Sequence, residues 1–117
     1  MFRFWRATLN SRNGLAFAAR SEQAFREEIA ALLLALPLSW LIGATMWRRI
    51  ELVAVVLLVM VVELLNTAIE KLADRLTTEQ DMQIGRVKDM GSAAVGIALL
   101  IAGVFWLFAV AERIGLI

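Results

Sequence analysis

The 117-residue chain has no cysteine, no histidine and no tyrosine, and only one proline. Without cysteine there is no disulfide framework, no thiolate nucleophile and no covalent haem attachment. Without histidine as well, a Cys/His zinc site is excluded. Acid–base chemistry is left to carboxylates and lysine, because arginine stays protonated. No GxxxxGK[ST] or GxGxxG loop occurs, which excludes the soluble phosphate-binding folds built on those loops. Charge is nearly balanced, 12 Lys and Arg against 11 Asp and Glu, and nothing in it suggests a nucleic-acid partner.

What the chain has in abundance is apolar surface, 61% hydrophobic residues at a mean hydropathy of +0.74. That is a membrane composition, and the length allows a single domain over residues 1–117. Three stretches approach the ~20 residues that a bilayer core requires. Residues 29–47 are uncharged between Glu28 and Arg48, 52–70 are interrupted only by Glu63, and 90–111 are uncharged between Asp89 and Glu112. Backbone groups must be satisfied inside lipid, so all three read as helices and the fold class is an all-α membrane bundle. Residues 1–28 carry five arginines and 71–89 carry four Lys/Arg, against three on the 48–51 turn and C-tail together. The positive-inside rule then places the N-terminus and second loop in the cytoplasm and the C-terminus on the far side.

Residues 1–28 do not read as a signal peptide, since their longest uncharged run, Asn13 to Ala19, is too short for an apolar core. They read as an amphipathic surface region. Phe2, Trp5 and Leu9 share a face beside Arg3 and Arg6, Asn13-Gly14 signals a turn, and Leu15 to Glu28 leads into the first span. Pro37 kinks that span or is absorbed by a neighbour. Trp40, Trp47 and Trp106 suit an interface belt. In the third span, Ser92-xxx-Gly96 and Ala94-xxx-Ala98-xxx-Ala102 offer small faces for close helix packing.

One helix face stands apart. Glu63, Asn66, Glu70 and Asp74 fall within roughly an 80° arc at 100° per residue. Ionisable groups within a span are costly and rarely face lipid, so they mark a site more often than a structural helix-to-helix hydrogen bond. Topology gathers Glu22, Glu28, Glu70, Lys88 and Asp89 at the same cytoplasmic membrane face, where nucleotide is available; Asp74 and Glu79 suit a solvated helix end. Phosphoryl transfer asks for positioning, Mg²⁺ and a base for the attacking hydroxyl. Mg²⁺ prefers one or two carboxylates plus phosphate oxygens. Glu22 and Glu70 suit that role and Lys88 suits the phosphates. Glu63, roughly 10 Å deeper at 1.5 Å per residue, suits a general base at a lipid hydroxyl. Three spans shield Glu63 poorly, which points to a homo-oligomer.

Glu63-Leu-Leu-Asn66-Thr-Ala-Ile-Glu70-xxx-Asp74, followed by Lys88-Asp89-Met-Gly-Ser-Ala-Ala, resembles the prokaryotic membrane diacylglycerol kinase family, which also includes undecaprenol kinases. The likeness extends to the basic N-terminal helix and the Glu22-xx-Phe25-Arg26-x-Glu28 segment. It implies a homotrimer of three-span subunits with composite sites at the cytoplasmic interface. Glu63 matches the family's catalytic base, Glu22 and Glu70 its metal-binding glutamates, and Asn66, Lys88 and Asp89 its active-site and nucleotide positions. Arg3 matches by N-terminal alignment, and Asn10 stands at a further nucleotide position where some members carry an aromatic. With Arg3, Asn66 and Glu63, the residues Glu28, Ser92 and Trp106 are the candidate contacts for the lipid substrate. The expectation is an Mg²⁺-dependent lipid kinase of the bacterial inner membrane that converts ATP and diacylglycerol to ADP and phosphatidic acid. Undecaprenol is the alternative lipid. A small proton-coupled transporter using Glu63 is the rival of another class, but it should carry polar groups on both sides of the midplane. A non-catalytic assembly subunit leaves Glu22, Glu70 and Lys88 unexplained.

Overall fold

The computed structural model describes residues 2–77 and 79–117. Among them every regular element is helical: α1 (Phe2–Ser21), α2 (Gln23–Ile42), α3 (Met46–Leu76) and α4 (Met82–Arg113). The caps explain two of the starts. The Thr45 hydroxyl accepts the Arg48 N–H at 3.1 Å to open α3. Asp81 Oδ1 accepts the N–H groups of Gln83 and Ile84 at 2.9 and 3.1 Å to open α4. Each satisfies donors that a helix leaves free in its first turn.

α3 and α4, of 31 and 32 residues, are long and apolar enough to cross a membrane. α2, which carries Arg26, Glu27 and Glu28 in its first two turns, does not pass that test among the described residues. Its helix ends at Ile42, so the uncharged part from Ile29 covers only about 20 Å of a ~30 Å core. Met46 and Trp47, counted in the span expected over 29–47, belong to α3, and so do residues 48–51, expected as a turn. The reason is a tight corner at residues 43–45. The Gly43 N–H donates to the Ser39 carbonyl at 2.9 Å, and a Cβ at Gly43 would come within 2.6 Å of Arg49 Cγ. The Arg49 guanidinium stacks on Trp40 at 4.2 Å, closing the corner from outside. α2 runs through Pro37 without interruption.

The N-terminal turn also lies elsewhere. α1 continues through Asn13-Gly14, and the chain breaks at Glu22, whose backbone is extended at φ −113°, ψ 113°. There the Arg26 guanidinium donates to the carbonyls of Ala19 and Arg20, at 3.3 and 2.9 Å, satisfying the end of α1.

α3 packs against both α2 and α4, in antiparallel succession. Leu52, Val55, Val59, Asn66 and Ala73 of α3 are buried, with Phe25 and Ala35 of α2 and Gly91, Ala98 and Ala109 of α4. The small line on α4 is therefore Gly91 with the two alanines, while Ser92 and Gly96 face outward. At one end Arg48 Nε reaches Glu112 at 3.0 Å. Trp106, rather than lying in an outer belt, turns inward and donates to the Leu52 carbonyl at 3.2 Å. Much of the outer surface is apolar, with Leu33, Leu34, Leu100, Leu107 and Phe108 all exposed.

Candidate active site

The other end of the bundle is where the carboxylates collect. The C-terminal half of α3 contributes Glu63, Asn66 and Glu70, each a turn apart, so the three project to one side. Asn66 is buried and donates through Nδ2 to Glu70 Oε1 at 3.2 Å. Its Oδ1 lies against Gly91 of α4, where an added Cβ would overlap it. A side chain in the KDMGSAA stretch other than hydrogen at Gly91 would push Asn66 off Glu70.

The break at Glu22 gives its carboxylate a route to α3. It caps nothing and instead pairs through Oε1 with Lys71 Nζ at 2.7 Å. Glu22 and Glu70 both lie close enough to Glu63 for their charges to act on it. Glu28, six residues further along the chain, points its Oε2 into the interior, where it has no partner among the described residues. Burial pushes this carboxyl up to about 7, with the charges of Glu63 and Glu27 adding to the effect. On α4, Lys88 Nζ binds Asp74 Oδ1 at 2.5 Å, so Asp74 is the solvated helix end expected and also a cross-helix partner.

A hollow of about 480 Å³ between α1 and α3 is lined by Glu22 and Lys71 with Phe17 and Leu64, and two others lie at the rim of the cluster, one touched by Asp74 and Lys88 and one by Glu28. The first of these two, about 810 Å³, lies beyond the ends of α3 and α4, lined by Asp74, Glu79, Gln80, Asp81, Gly85 and Lys88 among others. The second, about 290 Å³, runs along the membrane-spanning part between Glu28 and Trp106, past Val56, Val59 and Leu99. Its walls are apolar apart from those two residues. The first is lined by three carboxylates and one lysine, and the second is almost wholly apolar.

The structure thus brings together Glu22, Glu28, Glu63, Asn66 and Glu70, with Lys88 beside them through Asp74. It does not bring in the rest. Asp89 and Ser92 are exposed. Arg3 and Asn10 are exposed on α1 and make no side-chain hydrogen bond or ion pair among the described residues. Arg3 also stands about 27 Å along the helix from its C-terminal end at 1.5 Å per residue. Among the described residues no three metal-binding side chains converge into a cage. Mg²⁺ does not require one, because it keeps phosphate oxygens and waters in its shell. Glu22 and Glu70, hard oxygen donors that both lie near Glu63, fit such an ion in kind.

Sequence reasoning missed Lys71 and Gly91 as parts of the site, and the Glu79–Asp81 loop as the wall of the larger hollow. The polar run Thr-Thr-Glu-Gln-Asp between two apolar helices carried a signal for the loop. Lys71 carried none, since it looks like any charge near a helix end.

Comparison with known proteins gives a consistent result. The family described as prokaryotic diacylglycerol kinase matches residues 9–110. A diacylglycerol kinase of Haemophilus influenzae is 44% identical over 86% of this chain and 85% of its own. One of Escherichia coli is 45% identical over 80% of this chain and 76% of its own. One of Pseudomonas aeruginosa is 38% identical over 89% of this chain and 85% of its own.

Proposed function

The chain belongs to the prokaryotic diacylglycerol kinase family and is a kinase acting on diacylglycerol, and from that premise we propose how its residues carry out the transfer. The reaction moves the γ-phosphate of ATP to the free hydroxyl of diacylglycerol at the cytoplasmic membrane face, giving phosphatidic acid and ADP. Glu63 is the general base. It takes the hydroxyl proton as that oxygen forms its bond to the γ-phosphorus, the bond to the β–γ bridging oxygen breaks, and ADP leaves with that oxygen. The observation that carries this reading is the gathering of Glu22, Glu28, Glu63, Asn66 and Glu70 where α2 meets α3, with Glu28 lining the apolar hollow.

Each neighbour has a task that follows from its place. Asn66, locked between Glu70 and Gly91, fixes the Glu70 carboxylate in one orientation. Glu22 and Glu70 would hold Mg²⁺, which neutralises charge on the phosphates when bound. Lys88, steadied by Asp74, faces the larger hollow and meets the nucleotide phosphates as a point charge. Glu28 and Trp106 bracket the apolar hollow and position the lipid. Asp89, Ser92, Arg3 and Asn10 act from a neighbouring copy, in a homotrimer whose sites are shared between subunits; their outward placement on a single chain supports that assembly.

In this reading α1 lies on the surface of the bacterial inner membrane and α2, α3 and α4 all cross it. The N-terminus is cytoplasmic and the C-terminus periplasmic. The short apolar part of α2 is accommodated beside the longer helices. Purified protein in mixed micelles, given ATP with diacylglycerol or undecaprenol, tests the substrate. Phosphorylation of diacylglycerol is expected to be much faster. Preferential phosphorylation of undecaprenol reassigns the lipid.

A further inference from the structure

Lys71 is the basic side chain of α3 that reaches the break between α1 and α2, where Arg26 of α2 closes the end of α1. Its Nζ sits 2.7 Å from Glu22 Oε1 and 5.4 Å from the centre of the Phe17 ring. It thereby touches α1 through Phe17 and the junction through Glu22, from a position next to Glu70 on α3. The Glu22 backbone is extended, and its side chain has no cap bond to hold it. Among the described residues, the Lys71 ammonium is the group that fixes where that carboxylate points. An exposed pair of this kind contributes little to folding stability. Its worth lies in placement.

We propose that Lys71 is a positioning residue that holds the Glu22 carboxylate against α3, on the side of Glu63 and Glu70, and so prepares Glu22 to join Glu70 on a divalent cation. The proposal rests on the reading of Glu22 and Glu70 as the Mg²⁺ ligands. Oε1 is engaged by the ammonium, which leaves Oε2 as the oxygen for the ion. A carboxylate already oriented by a hydrogen-bonding partner loses less freedom on binding metal. Removing such a partner typically costs metal affinity although the ligand itself remains. Simple electrostatics says the opposite for Lys71, because deleting a positive charge near a cation site should tighten binding. The two expectations differ in sign.

The test uses the full chain in detergent micelles, with Mn²⁺ alone as the probe and its free signal read by electron paramagnetic resonance. Lys71→Met keeps the apolar stem over Phe17 and removes the ammonium. It is expected to weaken Mn²⁺ binding by roughly 10–100-fold, with Lys71→Arg restoring most of it. A second readout needs no metal. The chain lacks cysteine, so Asn13→Cys and Leu72→Cys accept a unique pair of spin labels on α1 and α3. Their distance distribution should broaden in Lys71→Met and narrow again in Lys71→Arg. Unchanged or tighter Mn²⁺ binding together with an unchanged distribution overturns the proposal. If Glu22→Gln binds Mn²⁺ like the wild type while Lys71→Met broadens the distances, the metal reading of Glu22 fails and the seating by Lys71 stands.

Discussion

Glu28 carries the clearest pH signature of any single residue outside the spans. An ordinary glutamate titrates near 4.5, and burial with the neighbouring charges of Glu63 and Glu27 raises this one to about 7. Between those values the folded chain keeps a proton that the unfolded chain releases, so stability falls as pH rises through the window. The penalty is absent below about 4.5 and complete above about 7. Melting curves in detergent should therefore show Glu28→Gln more stable than the wild type at pH 8, with the two converging toward pH 5. Equal differences at both values would mean that the carboxyl is not held in its neutral form. The chemistry of this residue was half visible beforehand. A glutamate at the mouth of an apolar run is conspicuous in the sequence, but its inward direction depends on α3 and α4 meeting α2, which no local pattern encodes.

At the scale of elements, the contact between α3 and α4 sets the active-site geometry. Gly91 is needed there because a methyl group would overlap the Asn66 carboxamide. Gly91→Ala should cost about 1–3 kcal/mol through overpacking and lower turnover further by displacing Asn66 from Glu70. Thermal melting with steady-state kinetics checks both. A variant with wild-type turnover would mean that Asn66 does not orient Glu70. α3 and α4 were legible because long apolar runs, broken only by Glu63 in α3, leave a helix as the one satisfied backbone in lipid. Their ends were not. The corner at residues 43–45 is made by Ser39, Gly43 and Arg49 packing together, so residues 46–51 joined α3 against the charge pattern. Asn13-Gly14 signals a turn only when the chain gains by turning. Here the helix runs on, with the hydroxyls of Thr8 and Ser11 bonded back to carbonyls one turn earlier at 2.9 Å.

The whole molecule leaves long apolar faces of α2 and α4 uncovered and Arg3, Asn10 and Asp89 away from the cluster. Sharing between copies accounts for both. Glu22 and Glu63 lie together in one chain, so the informative pair for subunit mixing is Glu63→Gln with Asp89→Asn. Each variant alone should be nearly inactive. An exchanged equal mixture should recover roughly a quarter of wild-type activity, since a site needs one good residue from each of two chains. No recovery after demonstrated exchange would place the whole site in one chain. Beneath all of this stands the claim that this end of the bundle is a phosphoryl-transfer site run by the Glu63 carboxylate. Glu63→Gln keeps shape and hydrogen bonding but removes the base. Steady-state transfer from ATP to diacylglycerol by the folded, reconstituted variant should fall by roughly 10²–10⁴-fold. Turnover within about threefold of the wild type would contradict it.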